Sequence, residues 1–149
     1  MALKTPEDFE ESVRQLKPRV FMNGKQVENI FDNPNTRTVF ESNRASYSWA
    51  LDDRYSKIMS CFSPLIQERV NRYTHVSGSV EDLVSKAQAG TFTAETLGTC
   101  IYRCAGYDAF HALASTTWEM DRDLGTTYNA RFLDYLKFVQ KNDLAVAGA

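Results

Sequence analysis

At 149 residues, with 43% hydrophobic and 24% charged positions, the chain is long enough to bury one hydrophobic core and has an ordinary globular make-up. A net charge of −2 provides no basic field, which argues against nucleic acid as a partner. No apolar run reaches the length of a bilayer span, and the acidic opening "MALKTPEDFEESVRQ" is unlike a signal or transit peptide, so a cytoplasmic protein with no membrane partner is expected.

The first element is a helix over "TPEDFEESVRQL", with Thr5 as cap, Pro6 in the first turn, and Glu7 and Asp8 complementing the dipole. "RVFMNGKQVEN" alternates around Asn23-Gly24, a strong hairpin signal, but it makes a ribbon too small to be a core. "NPNTRTVFESNRASYSWAL" spaces Val39, Phe40, Tyr47, Ala50 and Leu51 as a helix does, and "DDRYSKIMS" adds a short one. "SPLIQERVNRYTHVSGS" mixes apolar and breaking residues and reads as loop, with His75 exposed in it. Ser79 caps "VEDLVSKAQAGT", with Glu81 and Asp82 in its first turn.

The longest helix is expected from about Ala94 to Asp121, and "LGTT" separates it from "YNARFLDYLKFVQKND", whose core stripe is Phe132, Leu136 and Val139. The chain then stops at "DLAVAGA", either at a natural domain edge or cut from something longer. Residues 1–149 thus read as a single, mainly α domain with a small N-terminal β-hairpin. There is no repeat, linker or low-complexity segment.

Three cysteines, Cys61, Cys100 and Cys104, are too few and too uneven for a secreted disulfide framework. Cys61 has no chemical neighbour in sequence and reads as a packing residue. Cys100 and Cys104 fall on the expected long helix. With Cys100 at zero on a wheel of 100° per residue, Cys104 lies at about 40°, Tyr107 at about 340° and His111 at about 20°.

Ile101, Ala105, Ala109, Ala112 and Leu113 line the other side, so the helix reads as a core helix facing a site. Three readings of the thiol pair stay open. The pair can be core packing. It can be a disulfide, although helical side-chain directions would strain the bond and C-x-x-C is the usual redox spacing. It can also be two corners of a zinc or iron–sulfur site, which needs further ligands. His111, about 10 Å along the axis beyond Cys104, is too distant to share a compact cluster with Cys100 and reads as a core or supporting histidine.

The segments "EDFEESVRQLKPRVFMNGKQVEN", "TCIYRCAGYDAF" and "STTWEMDRDLGTTYNARFLDYLKFVQKNDLAVAGA" together resemble the 4-hydroxyphenylacetate 3-hydroxylase flavoprotein family, and within it the 4-hydroxybutyryl-CoA dehydratase/vinylacetyl-CoA Δ-isomerase branch. The likeness covers essentially the whole chain but only the N-terminal third of a full-length member. It implies the helical N-terminal domain of an acyl-CoA dehydrogenase-like fold, followed in the complete flavoenzyme by a middle β-domain and a C-terminal helical bundle. FAD and an acyl-CoA substrate would lie between these parts in a homotetramer.

In the dehydratase branch two ligands of a 4Fe-4S cluster fall at the positions of Cys100 and Cys104, the remaining ligands lying downstream. The resemblance therefore implies that the isolated chain is inactive and that its thiols can be free. The rival branch, the flavin-dependent aromatic monooxygenases, contacts its phenolic substrate with an arginine and a tyrosine four apart. Arg103 and Tyr107 match that pair, and they are the catalytic candidates. That branch lacks the cysteines, however, and places a histidine where this chain has Gly148. Arg103 is otherwise expected beside the cluster or paired with an acid such as Asp108 or Glu119, and Tyr107 as a hydrogen-bond donor into the site or a core tyrosine. A third possibility is a stand-alone helical interaction domain with packed cysteines.

Overall fold

The computed structural model describes residues 2–147. Gly148, the position compared with the hydroxylase histidine, lies outside them. Helix α1, Pro6–Leu16, starts at a reciprocal capping box in which Thr5 accepts from the Asp8 N–H and Asp8 accepts from the Thr5 N–H. Its single buried residue, Phe9, stacks on Phe40 and Tyr47 of α2, Pro34–Leu51. Between them β1, Phe21–Met22, and β2, Lys25–Gln26, pair antiparallel about Asn23-Gly24, both at positive φ as the turn requires.

A one-turn helix α3, Ser56–Met59, leads into β3, Ser60–Ser63, which pairs antiparallel with β4, Glu68–Asn71, and a 3-10 turn follows over Arg72–Thr74. The stretch expected to be loop is therefore a second hairpin. Beside the apolar Val70 and Tyr73, many of its inward positions are polar: Ser60, Ser63, Asn71, Arg72 and Thr74 are all buried. Each is satisfied by hydrogen bonds rather than apolar contact, as buried polar groups must be. Ser63 donates to Gln140, Gln140 donates to the Thr74 carbonyl, and Arg72 donates to the carbonyls of Lys57, Ile58 and Ser60. His75, expected to be exposed, is 7% exposed, because Asp82 and the following helix fold over it.

Helix α4, Val80–Leu97, starts on Ser79, whose hydroxyl accepts from the Asp82 N–H, and ends at Gly98 in the left-handed region. Helix α5, Arg103–Leu124, and helix α6, Tyr128–Lys141, pack against each other. The long helix expected from Ala94 to Asp121 is thus two helices. Gly98 at φ 63° and Tyr102 at φ 62° turn the chain out of one axis and into another.

The carboxylate of Asp121, near the end of α5, accepts from the N–H groups of Tyr128 and Asn129 and caps α6. One hydrophobic cluster gathers Leu3, Ala50, Met59, Tyr73, Ala89, Ile101 and Tyr107. The other packs Phe110 of α5 with Phe132, Leu136 and Val139, the stripe expected for the last helix. Contrary to the expected orientation, Ala105, Ala109, Ala112 and Leu113 are the exposed side of α5 here, while Arg103, Gly106, Tyr107 and Phe110 face inward.

Candidate functional site

Because α4 stops at Gly98, Cys100 precedes α5 instead of riding on it. From Cys100 to Arg103 the side chains alternate: Cys100 and Tyr102 point outward, while Ile101 and Arg103 are each 1% exposed. Tyr102, in the left-handed region, redirects the chain between the two buried side chains, so two anchors enter the core and two groups stay at the surface. Cys104, in the first turn of α5, is half-buried. The helical-wheel relation between the thiols does not hold, yet they meet: Cys100 Sγ lies 2.9 Å from Cys104 Sγ, and the Tyr102 N–H donates to Cys100 Sγ at 3.2 Å.

The pair stands at the rim of a cavity of about 400 Å³ between the end of α4 and the crossing loop. Gly90, Ala94 and Gly98 give it a wall of small residues, while Tyr73 and Thr93, hydrogen-bonded to each other, close its floor. Burial, and then the neighbouring Cys100 thiol, push the Cys104 thiol above its ordinary range. Cys61 is half-buried in β3, and burial raises its thiol to about 11. No group of three or more His, Cys, Asp or Glu residues able to hold a metal is assembled among the described residues.

The anchor beneath the thiols is Arg103. Its guanidinium donates to Ser46 Oγ at 3.0 Å, to Asp143 Oδ1 at 3.3 Å and to the Leu144 carbonyl at 3.4 Å, and it lies 4.6 Å from the Tyr47 ring centre. Its acid is Asp143, neither Asp108 nor Glu119; Asp108 pairs instead with Lys86. Asp143 also accepts from the Lys4 N–H, and its carbonyl accepts from the Tyr47 hydroxyl. One buried residue just past α6 thereby holds the amino-terminal segment, α2 and α5 in register.

Tyr107 is 1% exposed, shares a hydrogen bond with Ser77 Oγ, and has Lys86 Nζ 4.5 Å from its ring centre. Burial raises its phenol above the ordinary range. His111 accepts from the Ser77 N–H through Nε2 at 2.8 Å, which leaves Nδ1–H to donate to the Tyr107 carbonyl. These two side chains clamp the connection into α4. Sequence reasoning missed Tyr73, Thr93 and Asp143. The first two stood in segments without apolar periodicity.

Comparison with known proteins follows the same lines. A sequence model described as "4-hydroxyphenylacetate 3-hydroxylase N terminal" matches residues 5–149. Over 147 residues the chain is 39% identical to the 4-hydroxybutyryl-CoA dehydratase/vinylacetyl-CoA-Delta-isomerase of Clostridium aminobutyricum, covering 99% of this chain and 30% of that protein. An oxygen-tolerant archaeal 4-hydroxybutyryl-CoA dehydratase from N. maritimus superposes with a TM-score of 0.89 at 34% identity, over 96% of this chain and 28% of the other. The oxygenase component (HpaB) of 4-hydroxyphenylacetate 3-monooxygenase, solved also in complex with FAD, gives a TM-score of 0.72 at 19% identity, over 95% of this chain and 29% of that one. The chain therefore spans under a third of the length of these relatives.

Proposed function

Since the chain belongs to the 4-hydroxyphenylacetate 3-hydroxylase N-terminal family, we propose that it is the helical N-terminal domain of a flavoenzyme that dehydrates 4-hydroxybutyryl-CoA and isomerises vinylacetyl-CoA. In this reading residues 1–149 form one domain, FAD and acyl-CoA bind against it, and further domains of the enzyme, assembled as a homotetramer in the cytoplasm, complete the site. The observation that carries the reading is the meeting of Cys100 and Cys104 at the rim of a cavity. A merely packed pair would be sunk in the core, whereas Cys100 is exposed.

The donor set fits half of an iron–sulfur site. Two soft sulfur ligands stand together and a backbone N–H already points at one of them, as sulfur ligands of such clusters are commonly stabilised. Cys100 and Cys104 would hold one side of a 4Fe-4S cluster, and the other ligands would come from outside these residues. The cluster would supply Lewis acidity toward the departing hydroxyl. This chain's residues position the donors. Ile101 and Arg103 lock the loop, the Tyr102 N–H donates to Cys100 Sγ, and Tyr73 with Thr93 closes the floor of the cavity. The isolated chain, with only two such donors, is inactive in this proposal.

The monooxygenase reading requires Arg103 to reach a phenolic substrate. Its guanidinium is instead enclosed by Ser46, Tyr47, Asp143 and Leu144, which favours the dehydratase. The test is anaerobic purification of the complete enzyme, with iron, sulfide and flavin analysis and turnover of 4-hydroxybutyryl-CoA. Cys100→Ala and Cys104→Ala should each lose most of the iron, and Cys61→Ala should keep it. Full iron in both of the first two variants would return the thiols to the packing reading.

A further inference from the structure

Helical geometry would keep sulfurs at positions 100 and 104 from joining, but the break between α4 and α5 removes that restriction. Cys100 sits in the crossing loop, Cys104 is fixed in the first turn of α5, and their sulfurs are 2.9 Å apart. A disulfide needs about 2.05 Å, so the loop side has to advance by a little under 1 Å. Cys100 is exposed and Cys104 half-buried, which gives an oxidant access to one sulfur and keeps the other beside it as the resolving thiol. We infer that Cys100 and Cys104 are a reversible oxidation site, closing to an intramolecular disulfide when the reduced, metal-free pair meets a small-molecule disulfide.

The exchange balances in two steps. Cys100 Sγ attacks one sulfur of the small disulfide, forming a mixed disulfide and expelling one small thiol, which carries away the proton from Cys100. Cys104 Sγ then attacks Cys100 Sγ, forming the protein disulfide and expelling the second small thiol, which takes the proton from Cys104. Two protein thiols are oxidised and one small disulfide is reduced to two thiols.

The second step is intramolecular between groups already in contact, which favours it over capture of another small disulfide. Cys61, half-buried in β3, has no second cysteine beside it among the described residues and stays reduced. Closure removes both sulfur donors at once, and a reductant restores them. The disulfide itself does not depend on the cluster reading; only its consequence for cluster loading does.

The test uses the complete enzyme, reduced, stripped of iron by a chelator and exposed to oxidised glutathione. It is then denatured in acid, alkylated and digested with trypsin. Cleavage after Arg103 separates the two cysteines into peptides 87–103 and 104–122. The expected result is these two peptides joined and released by reductant, with Cys61 recovered alkylated. Cys100→Ser and Cys104→Ser should each abolish the joined species and leave the remaining cysteine alkylated or carrying glutathione. Wild-type peptides recovered separately, alkylated or each carrying glutathione, would overturn the inference. Iron content of the untreated enzyme, measured in parallel, decides the cluster reading independently.

Discussion

Replacing Asp143 with alanine removes the carboxylate that faces Arg103 from one oxygen and the Lys4 N–H from the other. Both side chains of the ion pair are 1% exposed, so water cannot take the place of the lost acceptor. Arg103 would keep Ser46 and the Leu144 carbonyl, but its Nε already has no acceptor. A guanidinium buried without its counter-charge costs about 3–5 kcal/mol. At about 2–4 °C per kcal/mol for a chain of this size, that is a fall in Tm of about 6–20 °C.

Asp143→Asn separates charge from shape. Asn tolerates the left-handed backbone at this position, φ 39°, and retains one oxygen acceptor, so its cost should be smaller, about 1–3 kcal/mol. Urea unfolding and thermal melts of wild type and both variants give the comparison. An Asp143→Ala chain within about 0.5 kcal/mol of wild type, inside the usual surface range, would refute the argument that this pair fixes α5.

Acid should weaken the fold through His75. Burial holds its imidazole below the ordinary value despite the nearby Asp82 carboxylate, so the unfolded chain takes up a proton first, near pH ~6.5. Stability is then complete above that pH and is lost as pH falls toward the folded value; urea midpoints between roughly pH 5 and 7 should show the slope, and His75→Gln should flatten it. Gly106→Ala should lift residues 144–147 from α5, because a Cβ there runs into the Val146 carbonyl. A loss of about 1–3 kcal/mol with faster proteolysis after Leu144 is expected, and unchanged protection of that segment would contradict the close approach.

The elements with strong local chemistry were legible from sequence. The Thr5–Asp8 box, Asn23-Gly24 and the Phe132–Leu136–Val139 stripe each carry their own signal, and each stands in the structure where that signal put it. The second hairpin was not legible because, apart from Val70, its inward positions are Ser60, Ser63 and Asn71, whose burial rests on partners such as Gln140 that are distant in sequence. A periodicity reading counts them as solvent-facing.

The break after Leu97 had Gly98 as its marker, but a lone glycine inside apolar spacing is compatible with a continuous helix. Placing the helix boundary before Ala94 instead of after Leu97 brought Cys100 and Cys104 together on a helical wheel, a relation that the structure replaces with a loop set against a helix end. Asp143 was invisible as the partner of Arg103 because the pair spans 40 positions, while Asp108 and Glu119 lay within a few turns.

The alternation from Cys100 to Arg103 has a consequence for how this segment tolerates change. Ile101 and Arg103 are the buried positions, whereas Cys100, Tyr102 and the half-buried Cys104, the stretch in which the proposed function places the ligands, are interleaved with them one by one along the chain. Randomising the outward positions should therefore yield mostly folded proteins with altered ligands, whereas randomising the inward ones should yield mostly unfolded proteins whatever ligands they carry. A lineage drifting along the first set can exchange one reactive group for another while the scaffold beneath stays intact. The loop is in that sense a replaceable tool head on a fixed handle.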